Sequence, residues 1–165
     1  MTRAVGNFDP SEAEIAISDR HNTVAHHGNF MVQVRHGKMT PRALDRIEST
    51  VRLLRAAIKG PVGAILVMEQ SARMASGDMR ARQRRVIGDL LGDGRTHAVV
   101  VIEGAGVAAK MMRTVARTLL PSHQRVSVTA DVASGAKWLG SRIGRSPDKL
   151  EAVVAHVRGL ARGSS

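Results

Sequence analysis

Three short, mainly apolar runs constrain the fold of this chain more than any other feature. They span residues 62–68, 97–102 and 126–129, and breakers or polar turns bound each of them. Runs of this length, rich in β-branched residues and without a clear polar face, are typical of strands covered on both sides. Segments with helical periodicity lie between them. Strands that alternate with helices need crossover connections, so the sequence predicts a largely parallel sheet with helices packed on it.

A β-hairpin is predicted ahead of these strands. Residues 23–27 and 30–36 flank the dipeptide Gly28-Asn29, a combination typical of a hairpin turn. Thr40 and Pro41 then fit the cap and first position of a helix that runs to Gly60. The predicted fold is therefore α/β, with a mixed, mostly parallel sheet of about five strands, an N-terminal β-hairpin, helices packed on the sheet and an extra C-terminal helix.

The length and composition fit a single domain. The chain has 165 residues, no cysteine and no apolar run near the ~20 residues of a membrane-spanning helix. Disulfides and thiolate metal sites are thereby excluded. We expect a flexible leader over residues 1–20, the α/β domain over 21–145, a C-terminal helix and tail over 146–165, and a cytoplasmic location.

The charge favours acidic partners. Lys and Arg number 25 against 14 Asp and Glu, a formal net charge of +11. Nucleic acid, an anionic membrane surface or an acidic protein would all suit such a chain. Tyrosine is absent, and Phe and Trp together number three, so few aromatic side chains are present on which bases could stack. Any nucleic-acid binding would therefore be nonspecific. The candidate residues for contacts with an anionic partner lie on two predicted helices and are Arg80, Arg84, Arg113 and Arg117. For each helix, the alternative is that these arginines form a solvated face.

A glycine-rich corner follows the second buried run. Glu103-Gly104-Ala105-Gly106-Val107 leads into a helix that carries Lys110, and its core matches G-x-G-x-x-A. Glycines and free amides at a helix N-terminus suit a nucleotide or phosphate ligand. Any tight turn between a strand and a helix also favours glycine, so both interpretations stay open.

The same corner resembles that of STAS-like domains, the fold of anti-sigma-factor antagonists and sulfate-transporter-associated domains. In the bacterial antagonists the corner typically reads Asp-Ser-Ser-Gly-Leu, with a phosphorylatable hydroxyl. Gly106 and Val107 match that pattern, whereas Gly104 and Ala105 replace the hydroxyl positions. The resemblance covers about residues 21–143 and implies a divergent bacterial single-domain member. Such a protein would be a non-enzymatic regulatory protein–protein interaction module without the phosphorylation switch.

The resemblance predicts a partner-binding surface at this corner, together with the predicted helix over residues 78–91. The C-terminal helix has an apolar face that needs cover, with Val153, Val154, Val157 and Leu160. We expect this face to dock either on the sheet or on a second subunit, which would give a homodimer. The partner itself remains open. The predicted surface consists of Glu103, Gly104, Ala105, Gly106, Val107, Lys110 and Met111.

The sequence gives only weak indications of a catalytic site or a metal site. Glu69 and Glu103 end two predicted strands and form the one attractive carboxylate pair. We favour the simpler interpretation that each is a solvated strand-end residue or pairs with Arg73 or Lys110. The seven histidines show no metal-ligand spacing, and no nucleophile-elbow motif occurs. We expect no enzymatic activity, no metal and no cofactor.

Overall fold

A six-stranded mixed sheet organises the structure. The computed structural model describes residues 8–120 and 124–163, so residues 1–7 of the predicted leader, His123 and the last two residues of the tail lie outside it. The order of the strands across the sheet follows their order in the chain. The first three strands pair antiparallel and the remaining pairs are parallel. The strands are β1 (Glu14–Ser18), β2 (Asn22–His27), β3 (Phe30–Arg35), β4 (Val62–Met68), β5 (Thr96–Ile102) and β6 (Val126–Thr129).

Helices cover both faces of this sheet. Because each parallel crossover advances the sheet in the same direction, right-handed connections place the first three helices on one face. The last two helices pack on the other face. This arrangement confirms the predicted α/β class, the N-terminal hairpin and the C-terminal helix. The helices are α1 (Pro41–Ala57), α2 (Gly77–Leu91), α3 (Val107–Leu119), α4 (Val132–Ile143) and α5 (Pro147–Gly163).

The alternation of side chains along the strands divides the core into two layers. In β4, Ile65 and Val67 pack towards α4 and α5, whereas Ala64 packs towards α1 and α2. Both sides of the central strands are therefore covered, which explains why these runs lack a polar face in the sequence.

The C-terminal helix α5 is part of the core. Leu150, Val153, Val154 and Val157 are all fully buried in the layer that α5 forms with α4 and the sheet. The chain's own strands cover most of the apolar face that suggested a second subunit, and only Leu160 of that face is exposed. This face therefore gives little support for a homodimer, which stays a prediction.

An edge strand replaces part of the predicted leader. Residues 14–18 form β1, which pairs antiparallel with β2 and carries a register shift between Ile15 and Ile17. Ile17 is buried against α1, whereas Ile15 is exposed. The alternating isoleucines are too few to identify a strand by themselves, and only pairing with β2 fixes this segment.

Within the described ranges, none of the helices has the length and apolar character needed to cross a bilayer.

Candidate functional site

The carboxyl edge of the parallel strands gathers most of the chemically interesting residues. Arg35, Met68 and Ile102 are the last residues of β3, β4 and β5, and they are neighbours in the register of the sheet. Open α/β sheets usually bind ligands beyond this edge. The loops that follow these strands include the corner over residues 103–106.

The corner is built on backbone geometry that glycine permits. Gly104 has a φ of +118°, and a Cβ at this position would lie 3.1 Å from the Cβ of Ala109. The Arg113 guanidinium donates hydrogen bonds to the carbonyl oxygens of Ile102 and Gly104, at 2.7 and 2.9 Å. These contacts fix the turn between β5 and α3.

Arg113 is therefore not part of an exposed basic surface, contrary to the prediction. Its side chain is buried and its donors face backbone carbonyls. Arg117, one helical turn further on, is exposed. The sequence spacing placed both on one side of the helix, but it could not show that the corner needs a cation beneath it.

The two carboxylates at the strand ends are joined by a third residue. Arg158 of α5 makes ion pairs with Glu69 and Glu103, each at 3.0 Å. The sequence suggested Arg73 or Lys110 as partners, because α5 could not be placed next to these strand ends. A guanidinium between the carboxylates stabilises both charges, so this pair ties α5 to the sheet.

The outer face of α3 is apolar. Val107, Met111 and Val115 are 77%, 65% and 36% exposed, on successive turns of the helix. Sequence periodicity would place this stripe in the core, but Met112, Ala116 and Leu120 pack on the sheet instead. We call Val107, Met111 and Val115 the α3 stripe.

The predicted partner-binding residues lie between Glu103 and Met111, and two of them, Val107 and Met111, belong to the α3 stripe. Glu103 and Gly104 are half-buried, whereas the remaining members are exposed. At helical spacing, Lys110 and Arg117 lie along one flank of the α3 stripe. The exposed members are Ala105, Gly106, Val107, Lys110 and Met111.

The other two candidate anionic contacts lie on α2. Arg80 and Arg84 are exposed, and both also line a largely apolar cavity between the sheet and the layer of α1, α2 and α3. The Nε of Arg80 donates to the carbonyl oxygen of Ala75 at 3.1 Å.

Side chains that could ligate a metal do not cluster in the described ranges. There, no group of three His, Asp or Glu side chains could hold a metal ion. Asp131, which follows β6, accepts a hydrogen bond from the Ser134 amide at 2.7 Å and caps α4. That hydrogen bond lowers the pKa of the Asp131 carboxyl.

Comparison with known proteins does not identify a family. No family model matches the sequence, and no curated protein matches it. Among solved structures, the chain is similar to the beta subunit of geranyl-CoA carboxylase from P. aeruginosa, with 14% sequence identity and a TM-score of 0.42. The similarity covers 94% of this chain and 33% of that subunit, so the chain spans about a third of its length. A similarity this distant supports no statement about activity.

Proposed function

We propose that the chain is a non-enzymatic regulatory protein–protein interaction module, and that its partner docks on the α3 stripe and the adjoining corner. The observation that carries the proposal is the outward orientation of Val107, Met111 and Val115. Single exposed apolar residues are ordinary, but three on successive turns of one helix make a contiguous patch of the kind that partners cover.

The chemistry of the surroundings narrows the partner. Lys110 and Arg117 flank the α3 stripe, and the chain carries a net charge of +11. A partner segment with apolar side chains for the stripe and acidic side chains for its flank would complement this surface. A second copy of the same chain fits less well, because it would bring another strongly basic surface to the contact.

The position of the stripe favours a partner over a nucleotide at the same place. The cations that remain exposed border an apolar surface, which suits a protein better than a phosphate.

Photo-crosslinking tests the proposal directly. Benzoylphenylalanine is placed at Met111 in cells that naturally make the protein, with Leu53 of α1 as the matched position. Leu53 is 55% exposed and is apolar like Met111, but it belongs to another helix. We expect a discrete protein adduct with the probe at Met111 and none with the probe at Leu53. The adduct should survive nuclease treatment, and Lys110→Glu should reduce its yield.

Other outcomes contradict the proposal. Identical adducts at both positions, or none at Met111, would remove the α3 stripe as a docking surface. An adduct between two copies of the chain would show that the α3 stripe mediates self-association and does not bind an acidic partner. A nuclease-sensitive adduct would favour the nucleic-acid alternative.

A further inference from the structure

A buried arginine faces the apolar cavity between the sheet and its three-helix layer. Arg35, the last residue of β3, is only 6% exposed and lines this cavity. One of its terminal nitrogens lies 3.0 Å from the Sδ of Met68. Its Nε is buried, and no hydrogen-bond partner for it exists in the described part of the chain.

This arrangement leaves a positive charge poorly satisfied. A thioether sulfur is a weak acceptor, so Met68 compensates little of the lost hydration. Burial lowers the pKa of the Arg35 guanidinium to about 10, which still leaves the group protonated at neutral pH. Buried charges are normally paired, because an uncompensated one is strongly unfavourable.

The rest of the cavity lining is mainly apolar, and its charged side chains are all positive. The apolar lining includes Met31, Ala64 and Leu66 from the sheet, with Val51 from α1 and Val86 and Leu90 from α2. The other charged side chains among the described lining residues are Arg80 and Arg84, and none of those lining residues is acidic. The cavity therefore offers an apolar volume with only positive charge around it.

We propose that this cavity binds an amphipathic monocarboxylate, with the carboxylate on Arg35 and the apolar body between the sheet and α1 and α2. A guanidinium carries several N–H donors in a fixed plane and matches the two oxygens of a carboxylate. Arg80 and Arg84 add attraction for an anion. This site is separate from the α3 stripe, which lies on the outer surface of α3.

The volume sets the size of the ligand. The cavity measures about 140 Å³. An apolar cavity of about 150 Å³ accommodates benzene, so the apolar body should have about six carbons. Heptanoate is a suitable probe, with heptan-1-ol as its neutral counterpart and heptylamine as the cationic one.

Methionine methyl NMR on the full chain reports binding inside the cavity. Met31 and Met68 line it, whereas Met111 lies on the outer surface of α3 and serves as an internal control. We expect heptanoate to shift the Met31 and Met68 methyl signals saturably and Met111 not at all. Heptan-1-ol should bind about tenfold more weakly or worse, because it lacks the charge-assisted hydrogen bonds to Arg35.

Variants at Arg35 separate binding from structure. Arg35→Met should abolish the preference for heptanoate over heptan-1-ol while leaving the melting temperature of the ligand-free protein unchanged or higher. Arg35→Lys should keep a preference for the anion, and the exposed control Arg46→Met should behave like the wild type. Equal binding of the acid and the alcohol by the wild type would overturn the proposal. So would heptanoate shifts confined to Met111, or an Arg35→Met variant that still prefers the acid.

Discussion

Arginine side chains that reach backbone carbonyls or strand-end carboxylates explain much of the local architecture. Arg113 holds the corner and Arg158 joins two strand-end glutamates. Arg95 donates to the carbonyl oxygens of Ile58 and Arg55 at the end of α1, at 2.6 and 2.8 Å. Part of the +11 charge is therefore structural, and the net charge alone overstates the basic surface available to a partner.

Asp93 contacts both Arg55 and Arg95, and it should make the stability of the fold depend on pH. Its carboxyl pairs with the Arg55 Nε at 2.6 Å and accepts from the Arg95 amide at 3.0 Å. Burial alone would raise the pKa of Asp93, but the hydrogen bond from the Arg95 amide and the Arg55 charge outweigh it, so the pKa is lowered. The ionised form is thus favoured in the folded state.

We expect Asp93→Asn to lower the free energy of unfolding by about 1–2 kcal/mol at pH 7. A carboxyl with a lowered folded-state pKa stabilises the fold above its ordinary pKa of 3.8 and loses that contribution as the pH falls through the folded value. The difference between variant and wild type should therefore fade below about pH 4. Urea unfolding at several pH values measures it, with the exposed Asp89→Asn as control. A difference that stays constant down to pH 2 would contradict this role.

Among the helices, α4 shows most clearly how close packing depends on a small residue. A Cβ on Gly135 would lie 2.9 Å from the Cγ2 of Val101 and 3.1 Å from the Oγ1 of Thr129. A Cβ on Gly88, in α2, would meet nothing within 4 Å apart from its chain neighbours and the backbone of its own helix. The two glycines are therefore equivalent in helix propensity and opposite in packing.

Gly88→Ala should raise the free energy of unfolding by roughly 0.5–1 kcal/mol, because alanine restricts the unfolded chain and favours the helix. Gly135→Ala should lower it by about 1 kcal/mol or more, since α4 must move away from β5 to admit the methyl group. Chemical denaturation of both variants measures the contrast. Equal stabilisation by the two substitutions would show that α4 does not approach β5 as closely as described.

The elements differ in how far the sequence determines them. The start of α1 is predictable because its signal is local: Thr40 accepts from the Ala43 amide at 3.1 Å, and Pro41 occupies the first turn. The buried strands are predictable because they are covered on both faces. The orientation of α3 is not, since its apolar stripe has helical periodicity whether it faces the sheet or solvent. Arg158 was missed as the partner of Glu69 because the two residues meet only after α5 has docked.

Considered as one unit, the molecule is a sheet between two helical layers of different character. The layer of α4 and α5 packs tightly, and Leu150, Val153, Val154 and Val157 are fully buried in it. The opposite layer contains the cavity with Arg35 and ends at α3 over the edge strand β6. Both layers bury apolar side chains, and both proposed binding sites lie in the second layer.

Removal of α5 should accordingly prevent folding. Each fully buried apolar side chain contributes about 1.5–3 kcal/mol, and four of them together match the 5–15 kcal/mol that stabilises a typical domain. A chain ending at Ser146 should show no cooperative thermal transition, whereas the full chain with the exposed Leu160 replaced by serine should retain one. A truncated chain that melts cooperatively near the wild-type temperature would show that α5 is an appendage.

Both binding proposals depend on which side of α3 faces the sheet, and thiol labelling tests that orientation most directly. The chain has no cysteine, so single cysteines report without background. Met111→Cys should react with a soluble thiol reagent at nearly the rate of a free thiol, whereas Met112→Cys and Ala116→Cys should react much more slowly. Rapid labelling at positions 112 and 116 with protection at 111 would mean that the apolar stripe is buried, and neither the docking surface nor the cavity would stand as described.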